Sequence, residues 1–404
     1  MDAWSLAQML VRIDSTDPGA YEGDLARAIE SMVEANLTKL PGDIGRHISL
    51  ERLEVLPDRS NLMVTVPGTG PDPRLVYICH MDTVVAGDGW SRETPPFGGV
   101  VHGDRLYGRG ACDMKSGLAC ALSALFGLLE DIAMSGSLPQ RGFSLICTVD
   151  EEDRMRGAEA AIAAGWVGPR EWVLDTEPTD GQIQVAHKGR TWFELTMTGV
   201  TAHASQPWEG ADAIAAMAEA ISSIRRSFAS LPAHDELGPS TVTFGQIEGG
   251  YQPYVVPDSC TTWIDMRLAP PTDTRAACRI VTDAIEKAES SVPGAHGGFR
   301  ITGDRSAVER DPNSPLLAAL SDTVRATTGQ PADIGFFTGY TDTAVIASTC
   351  SNRTCLSYGP GSLALAHKPN EYVPKADVMR VEAVLRALMR KTLWHTNCQT
   401  DTTF

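Results

Sequence analysis

The stretch LVYICHMDTV (75–84) decides how the first half of the chain folds. Its first five residues are apolar, which predicts a buried strand, and His80 and Asp82 follow directly at the end of that strand. A helix is predicted over about residues 116–131, because leucines recur there at the spacing of one helical face. A second apolar strand, FSLICTV (143–149), comes after it. This alternation of strand and helix indicates the α/β class, with a mostly parallel sheet that helices cover on both faces.

The middle of the chain has a different order of elements. Strand and helix patterns follow one another there as β-α-β-β-α-β, which is the ferredoxin-like α+β arrangement. The α/β pattern then resumes and ends in an amphipathic helix over about residues 376–394. A chain of 404 residues is also too long for one ordinary domain. We therefore predict a discontinuous α/β domain, residues 1–188 and 304–404, with a ferredoxin-like domain inserted as residues 189–303.

Composition and charge argue against several classes of protein. Hydrophobic residues make up 43% of the chain and charged residues 21%, which is the balance of a globular protein with a sizeable core. The formal net charge of −17 argues against nucleic acid and an anionic membrane surface as partners. Residues 1–12 lack the pattern of a signal peptide, and no run approaches about 18 consecutive apolar residues, so no membrane span is expected. The nine cysteines form no CxxC pair, which suits free thiols in a reducing compartment, and the cytoplasm is the expected location.

Side chains that can bind metal follow three of the predicted strands. His80 and Asp82 follow the first strand, and DEE (150–152) follows the second. A third strand, WVL (172–174), runs into DTE (175–177). Because functional sites of open α/β sheets form at the carboxyl ends of the strands, we expect these side chains to converge.

Two further candidates lie in predicted loops. Asp113 belongs to the Gly-rich segment GRGACDMKSG (108–117), which lacks the ending of a phosphate-binding P-loop, and His367 follows a turn at residues 359–361. Taken singly, such a histidine is more often structural, and adjacent acidic residues more often face solvent. Together they indicate a metal site, because crowded carboxylates would repel one another and take up protons unless cations balanced them. The mixed set suits zinc, with manganese or cobalt as substitutes, and a shared carboxylate would bridge two ions.

The order and spacing of these motifs resemble a known family. The matching segments are HMDTV (80–84), GRGACDMKSG (108–117), DEE (150–152), EPT (177–179) and AHKPNEYV (366–373). They resemble the dinuclear zinc metallopeptidase family of acetylornithine deacetylase, succinyl-diaminopimelate desuccinylase, aminoacylases and glutamate-releasing carboxypeptidases, and the resemblance covers nearly the whole chain. It implies a phosphorylase/hydrolase-like α/β catalytic domain, an inserted ferredoxin-like dimerisation domain and two divalent metal ions.

The resemblance also implies a role for each site residue. The metal ligands would be His80, Asp113 as the bridging carboxylate before a cis peptide bond to Met114, Glu152, Glu177 and His367. Glu151 would be the general base, and Asp82 would orient the imidazole of His80. Asp175 lies two residues before Glu177 and stays open as an alternative ligand; we prefer Glu177 because it belongs to the EPT match.

Two residues of the inserted domain match as substrate-binding groups. In GVTAHASQPWEGADAI (199–214), His203 resembles the family histidine that reaches across a dimer interface to the reacting carbonyl oxygen. In IDMRLAPPTD (264–273), Arg267 resembles the arginine that grips the substrate carboxylate. The segment FTGYTDTAV (337–345) is only loosely like the family's substrate loop, so the resemblance leaves the exact substrate open.

These implications lead to a functional hypothesis with alternatives. We expect a homodimeric hydrolase that removes an acyl group from an N-acyl amino acid, which is a small molecule with a carboxylate next to an amide. An exopeptidase that releases a C-terminal amino acid, as a carboxypeptidase or dipeptidase does, would use the same residues. A two-metal phosphate-ester hydrolase is a further alternative. An inactive dimeric binding protein is the alternative from another class.

Overall fold

The computed structural model describes residues 1–337 and 339–394 of the chain. The strands are β1 (Ser49–Leu56), β2 (Arg59–Val66), β3 (Leu75–His80), β4 (Val100–His102), β5 (Arg105–Tyr107), β6 (Phe143–Thr148), β7 (Trp172–Pro178), β8 (Ile183–His187), β9 (Gly189–Thr198), β10 (Thr241–Gly249), β11 (Ser259–Leu268), β12 (His296–Arg305), β13 (Ile334–Phe337), β14 (Cys355–Gly359) and β15 (Tyr372–Pro374). The helices are α1 (Ala3–Val11), α2 (Gly23–Leu37), α3 (Gly42–Gly45), α4 (Lys115–Ser135), α5 (Arg156–Ala163), α6 (Ala213–Ala229), α7 (Thr274–Ser291), α8 (Pro315–Thr328), α9 (Asp342–Cys350) and α10 (Lys375–Leu393).

The chain divides into two compact units. Unit 1 comprises Met1–Val185, Arg310–Gly335 and, among the described residues, 341–394. Unit 2 comprises Ala186–Glu309 and the short segment Phe336–Tyr340, of which Thr338 lies outside the described residues. The insertion predicted from the sequence, residues 189–303, falls within the longer segment of unit 2.

An eight-stranded sheet lies at the centre of unit 1, in the order β1-β2-β6-β3-β7-β14-β8-β13. The neighbours β6, β3, β7 and β14 run parallel to one another. The pairs β1–β2, β2–β6 and β14–β8 are antiparallel. Every residue of β3 and β6 is buried, as expected for parallel strands whose two faces are both covered. The predicted mostly parallel sheet is therefore confirmed at its centre, and antiparallel strands extend it on both sides.

The leucine-rich helix α4 belongs to the core of unit 1. It packs against α1 and α10 and against the strands β3 and β7. The helix is long and apolar enough to cross a membrane, with a mean hydropathy of 1.6, yet 78% of that apolar stretch is buried inside the protein. Its burial is that of a core helix, because its apolar surface is already covered by its neighbours.

One glycine allows the first turn of α4 to approach the sheet closely. A Cβ atom on Gly117 would lie 2.1 Å from the backbone oxygen of Thr176 in β7. A larger residue would therefore clash with backbone that has little freedom to move. This close approach brings the segment before α4, which carries Asp113, against the end of β7, which carries Glu177.

Unit 2 contains a four-stranded antiparallel sheet in the order β10-β11-β9-β12. Helices α6 and α7 are capped by the preceding residues Asp212 and Asp273, whose carboxylates accept backbone N–H groups of the first turn. Both helices pack with the sheet around one apolar core, to which β9 contributes Phe193, Leu195 and Met197. The chain order and the strand order are those of the ferredoxin-like fold, so this prediction is confirmed.

We expect Tyr77→Phe to destabilise unit 1. The buried hydroxyl of Tyr77 in β3 donates a hydrogen bond of 3.0 Å to the backbone oxygen of Leu385 in α10. Its removal leaves a buried acceptor without that partner, which should lower the free energy of unfolding by about 1–2 kcal/mol. Urea denaturation followed by circular dichroism measures the change. The matched control is Tyr251→Phe at an exposed position; equal stability of both variants would contradict the prediction.

Candidate metal centre

The parallel strands β3, β6 and β7 bring their carboxyl ends together at one edge of the unit 1 sheet. His80 is the last residue of β3 and pairs with Thr148 at the end of β6. The DEE turn (150–152) comes two residues after β6, and Glu177 lies in the last part of β7. The side chains that the sequence places after three separate strands therefore meet at this edge, as the strand pairing requires.

Asp113 lies between two imidazole rings. Its Oδ1 atom is 3.1 Å from Nε2 of His80, and its Oδ2 atom is 3.5 Å from Nε2 of His367. The peptide bond between Asp113 and Met114 is cis. The other carboxylates divide between the same two rings: Glu177 Oε1 is 3.7 Å from His80 Nε2, and Glu152 Oε2 is 3.0 Å from His367 Nε2. The donors thus form two groups that share Asp113.

Glu151 lies near His80 without a hydrogen bond to its imidazole. Its Oε2 atom is 4.0 Å from Nε2 of His80, and the residue is buried. Burial raises the pKa of Glu151 well above its usual value, and the charge of Asp342 adds to this effect although His80 opposes it. A buried carboxylate with a raised pKa is well suited to accept a proton and release it again.

Asp82 holds the DEE turn through the backbone. Its two carboxylate oxygens accept N–H groups of Glu151 and Glu152, at 3.2 Å and 2.9 Å. The Nδ1 atom of His80 lies 3.0 Å from the backbone oxygen of Asp82 and 3.8 Å from the carboxylate. Because a backbone oxygen only accepts, Nδ1 carries a proton, and in the neutral ring the lone pair of Nε2 faces Asp113 and Glu177. The backbone of Asp82 therefore orients the imidazole more closely than its carboxylate does.

Asp175 and Glu177 face different partners although they are two residues apart on β7. The Oδ2 atom of Asp175 accepts a hydrogen bond of 2.6 Å from the hydroxyl of Thr343 in α9. The pairing of β7 with β14 shifts between Ser357 and Gly359, where two residues of β7, Thr176 and Glu177, stand opposite Tyr358 alone. Such a bulge breaks the alternation of the strand, which leaves Glu177, not Asp175, beside His80.

Glu371 and Arg109 hold the loop that carries Asp113, a role that the sequence analysis did not predict. The Oε1 atom of Glu371 accepts the N–H groups of Cys112 and Asp113, at 2.8 Å and 3.1 Å. Its other oxygen pairs with the buried guanidinium of Arg109. Both residues lie in segments already singled out, AHKPNEYV and GRGACDMKSG, and an ionisable residue inside a metal-binding motif is the signal that could have identified them.

His203 and Arg267 belong to unit 2 and are described within it. The Nδ1 atom of the exposed His203 accepts the N–H of Ser205 at 3.2 Å, so the proton of the neutral ring sits on Nε2. Arg267 is half-buried and makes two hydrogen bonds to Asp265, from Nε at 2.7 Å and from Nη2 at 3.0 Å. His203 therefore presents an outward N–H donor, whereas Arg267 already holds a carboxylate of its own unit.

The donor set of the unit 1 edge fits two divalent cations. Burial raises the pKa of Glu177, and the charge of Asp113 adds to it. Hydrogen bonds to Asp113 and Glu152 raise the pKa of His367 to about 10, so this imidazole binds a proton where a cation is expected. Two imidazoles, one shared carboxylate and further carboxylates are the ligands that zinc, manganese and cobalt accept. His80, Asp113 and Glu177 would hold one ion, and Asp113, Glu152 and His367 the other.

Known proteins are similar to this chain in sequence or in structure. A probable succinyl-diaminopimelate desuccinylase of Staphylococcus aureus is 28% identical over 357 residues, covering 81% of this chain and 85% of that protein. A probable carboxypeptidase of Aspergillus clavatus is 26% identical over 397 residues, covering 95% of this chain and 87% of that protein. The crystal structure of a Bacillus subtilis protein, described as a dinuclear metal binding peptidase from the M20 family, shares the fold with a TM-score of 0.70 and 16% identity, and covers 97% of both chains.

The family model that matches the chain covers most of it. Residues 76–391 match the model of Peptidase family M20/M25/M40, a range that includes every metal-binding candidate and the whole inserted ferredoxin-like fold. This match confirms the resemblance inferred from the motifs. It also confirms the prediction that the protein is a metal-dependent hydrolase that acts on amide bonds. The chain belongs to Peptidase family M20/M25/M40.

Proposed function

We propose that the protein removes the acyl group from an N-acyl amino acid with two divalent metal ions, of which zinc is the first candidate. The observation that carries the proposal is the position of Asp113, whose two carboxylate oxygens face different imidazoles, those of His80 and His367. This is the arrangement that a carboxylate bridging two ions requires. When bound, the ions would polarise the amide carbonyl and lower the pKa of a water molecule toward neutrality.

Glu151 is the proposed general base and acid. Its carboxylate accepts a proton from the water that attacks the amide carbon, and then delivers that proton to the nitrogen of the departing amine. The raised pKa of Glu151, caused mainly by burial, supports this role, because the proton is held between the two steps. Asp82 supports it as well, since its carboxylate fixes the backbone on which Glu151 sits.

Unit 2 supplies the proposed substrate-binding groups. His203 carries its ring proton on Nε2, which suits it to donate a hydrogen bond to the carbonyl oxygen as negative charge develops there. Arg267 is proposed to bind the carboxylate of the substrate. Since its Nε and Nη2 groups hold Asp265, the substrate would bind through Nη1 or displace Asp265.

We further propose that the protein is a cytoplasmic homodimer. The eight cysteines of residues 1–394 are free thiols, which supports a reducing compartment. His203 is exposed within its own unit, which is compatible with a role in a site completed by a second copy of the chain.

A substrate panel distinguishes the deacylase from the exopeptidase. The similarity to a probable carboxypeptidase is the observation that supports the exopeptidase. We expect N-acetyl and N-succinyl amino acids to be hydrolysed with a kcat/KM at least about tenfold above that of dipeptides, a difference of about 1.4 kcal/mol in the barrier. The panel is assayed on metal-free protein with zinc, manganese or cobalt added separately. Analogues with an amidated carboxylate are the matched control, and faster cleavage of dipeptides would favour the exopeptidase.

We expect Glu151→Gln to lower kcat by a factor of about 10²–10⁴, because an amide cannot shuttle the proton. Its metal content should stay near that of the wild type, since the substituted residue is not one of the proposed ligands. Steady-state kinetics and elemental analysis measure both effects. The matched control is Glu130→Gln at an exposed position of α4, which should behave as wild type. Substantial activity of the Glu151 variant would show that another group is the base.

Mixed dimers test whether a second copy supplies His203. We expect His203→Ala to lower kcat strongly, by about 10²-fold or more, because one donor to the developing oxyanion is lost. When this variant is co-expressed with Glu151→Gln, a dimer with shared sites contains one intact site, so part of the activity should return. Affinity tags on both chains isolate the mixed dimers for the assay. An inactive mixed dimer would contradict the sharing of sites.

A further inference from the structure

The DEE turn has an unusual backbone that something outside the turn must hold. Asp150 is buried with a φ of 66°, in the left-handed region that residues other than glycine seldom adopt. The three successive N–H groups of the turn all donate to carboxylates. That of Asp150 donates to Glu22 at 3.1 Å, and those of Glu151 and Glu152 donate to Asp82. The turn is thus bound by two carboxylates from distant parts of the chain.

Glu22 is itself fixed by the buried guanidinium of Arg59. The Nε atom of Arg59 donates to Oε2 of Glu22 at 2.8 Å, and Nη2 donates to Oε1 at 2.5 Å. Both side chains are almost fully buried, and the ring of Tyr21 packs on the guanidinium at 4.4 Å. A two-point bond of this kind fixes the plane of the carboxylate as well as its position. The oxygen that accepts the N–H of Asp150 is therefore held in place.

The cluster around Glu22 is occupied by an arginine and not open to a third metal ion. Asp17, Glu22 and Asp82 place carboxylate oxygens within 4.8 Å of one another, which is close enough for an ion. Arg59, however, binds Asp17 at 2.6 Å and lies 3.6 Å from Asp150 in addition to its bond to Glu22. Burial alone would lower the pKa of Arg59, but the hydrogen bonds and charge of Glu22 and Asp17 raise it, so the guanidinium stays charged. It supplies the positive charge that this cluster needs.

We propose that Glu22, clamped by Arg59, is a positioning residue that holds the DEE turn so that Glu151 and Glu152 reach the metal centre. The proposal deepens the proposed function and rests on it for the roles of these two glutamates. Glu22 is not one of the proposed ligands or substrate-binding groups; it acts through the N–H of Asp150. Residues that orient ligands in this indirect way change metal affinity or activity by about 10–100-fold when they are replaced.

Glu22→Gln tests the proposal by keeping the shape of the side chain and removing its charge. We expect the zinc affinity of the metal-free protein, measured by competition with a chelating dye, to weaken by about 10–100-fold. We also expect kcat to fall by a similar factor while KM changes less than about threefold, because the turn carries the base and a ligand but no substrate contact. Wild-type zinc affinity and kcat in this variant would overturn the proposal.

Two control variants separate positioning from loss of stability. Asp17→Asn removes the other carboxylate bound to Arg59, but Asp17 accepts no N–H of the turn, so zinc affinity should change less than about threefold. Ile132→Val removes a methylene from the buried face of α4 and should lower the thermal midpoint of unfolding. Its zinc affinity is the reference for a loss of stability alone. An equal loss of zinc affinity in Glu22→Gln and Asp17→Asn would assign the effect to Arg59 alone and overturn the role of Glu22.

A second variant covers the case in which Glu22→Gln does not fold. Arg59→Lys keeps a positive charge in the cluster but cannot hold both oxygens of Glu22. Its zinc affinity should weaken by about tenfold, and wild-type affinity would overturn the proposal. The zinc measurement does not depend on catalysis. If the wild type bound zinc but hydrolysed no amide, the proposed function would fail. The zinc affinities of the variants would still show whether Glu22 holds the DEE turn in place.

Discussion

Negative charge buried at one edge of a parallel sheet is the constraint on which unit 1 depends. Burial raises the pKa of Glu151 and of Glu177, so these carboxylates tend to take up protons unless cations lie beside them. The fold supplies cations of its own behind the site, where Arg59 and Arg109 are buried against Glu22 and Glu371. Among the residues that the structure describes, no arginine pairs with Asp113, which lies between two imidazoles, and the proposed metal ions would balance its charge.

The carboxylates outside the proposed metal centre explain how the proposed ligands are held in place. Ligand-bearing loops are fixed by carboxylates that accept backbone N–H groups: Asp82 and Glu22 for the DEE turn, and Glu371 for the loop of Asp113. Glu22 and Glu371 each bind backbone N–H groups and a guanidinium, which offsets the cost of burying them. Asp82 binds two backbone N–H groups but no guanidinium, and burial raises its pKa. The proposed ligands on these loops are other side chains. Positioning and the proposed coordination are thus assigned to different side chains.

The sequence predicts the centre of this arrangement better than its support. Uniform apolar runs identify β3 and β6, and the polar residues after them identify the site, because both signals are local. Helix α9 was not predicted, since its short apolar run has no period that separates a helix from a strand. The bond between Arg59 and Glu22 joins residues 37 positions apart, and that between Arg109 and Glu371 joins residues 262 apart. Such pairs, like the bulge that turns Glu177 toward His80, exist only once the chain has folded.

Substrate choice must arise outside the proposed metal centre. The chain is 28% identical to a probable desuccinylase and 26% identical to a probable carboxypeptidase, so it is almost equally similar in sequence to relatives named for two different activities. An N-acyl amino acid and a peptide present the same amide and the same carboxylate, and a metal centre acts on the amide alone. The donors around Asp113 therefore serve either substrate equally. Discrimination must therefore come from groups that contact the remainder of the substrate. The proposed carboxylate-binding group Arg267, which is paired with Asp265, would meet the same carboxylate in either substrate and so would not distinguish them.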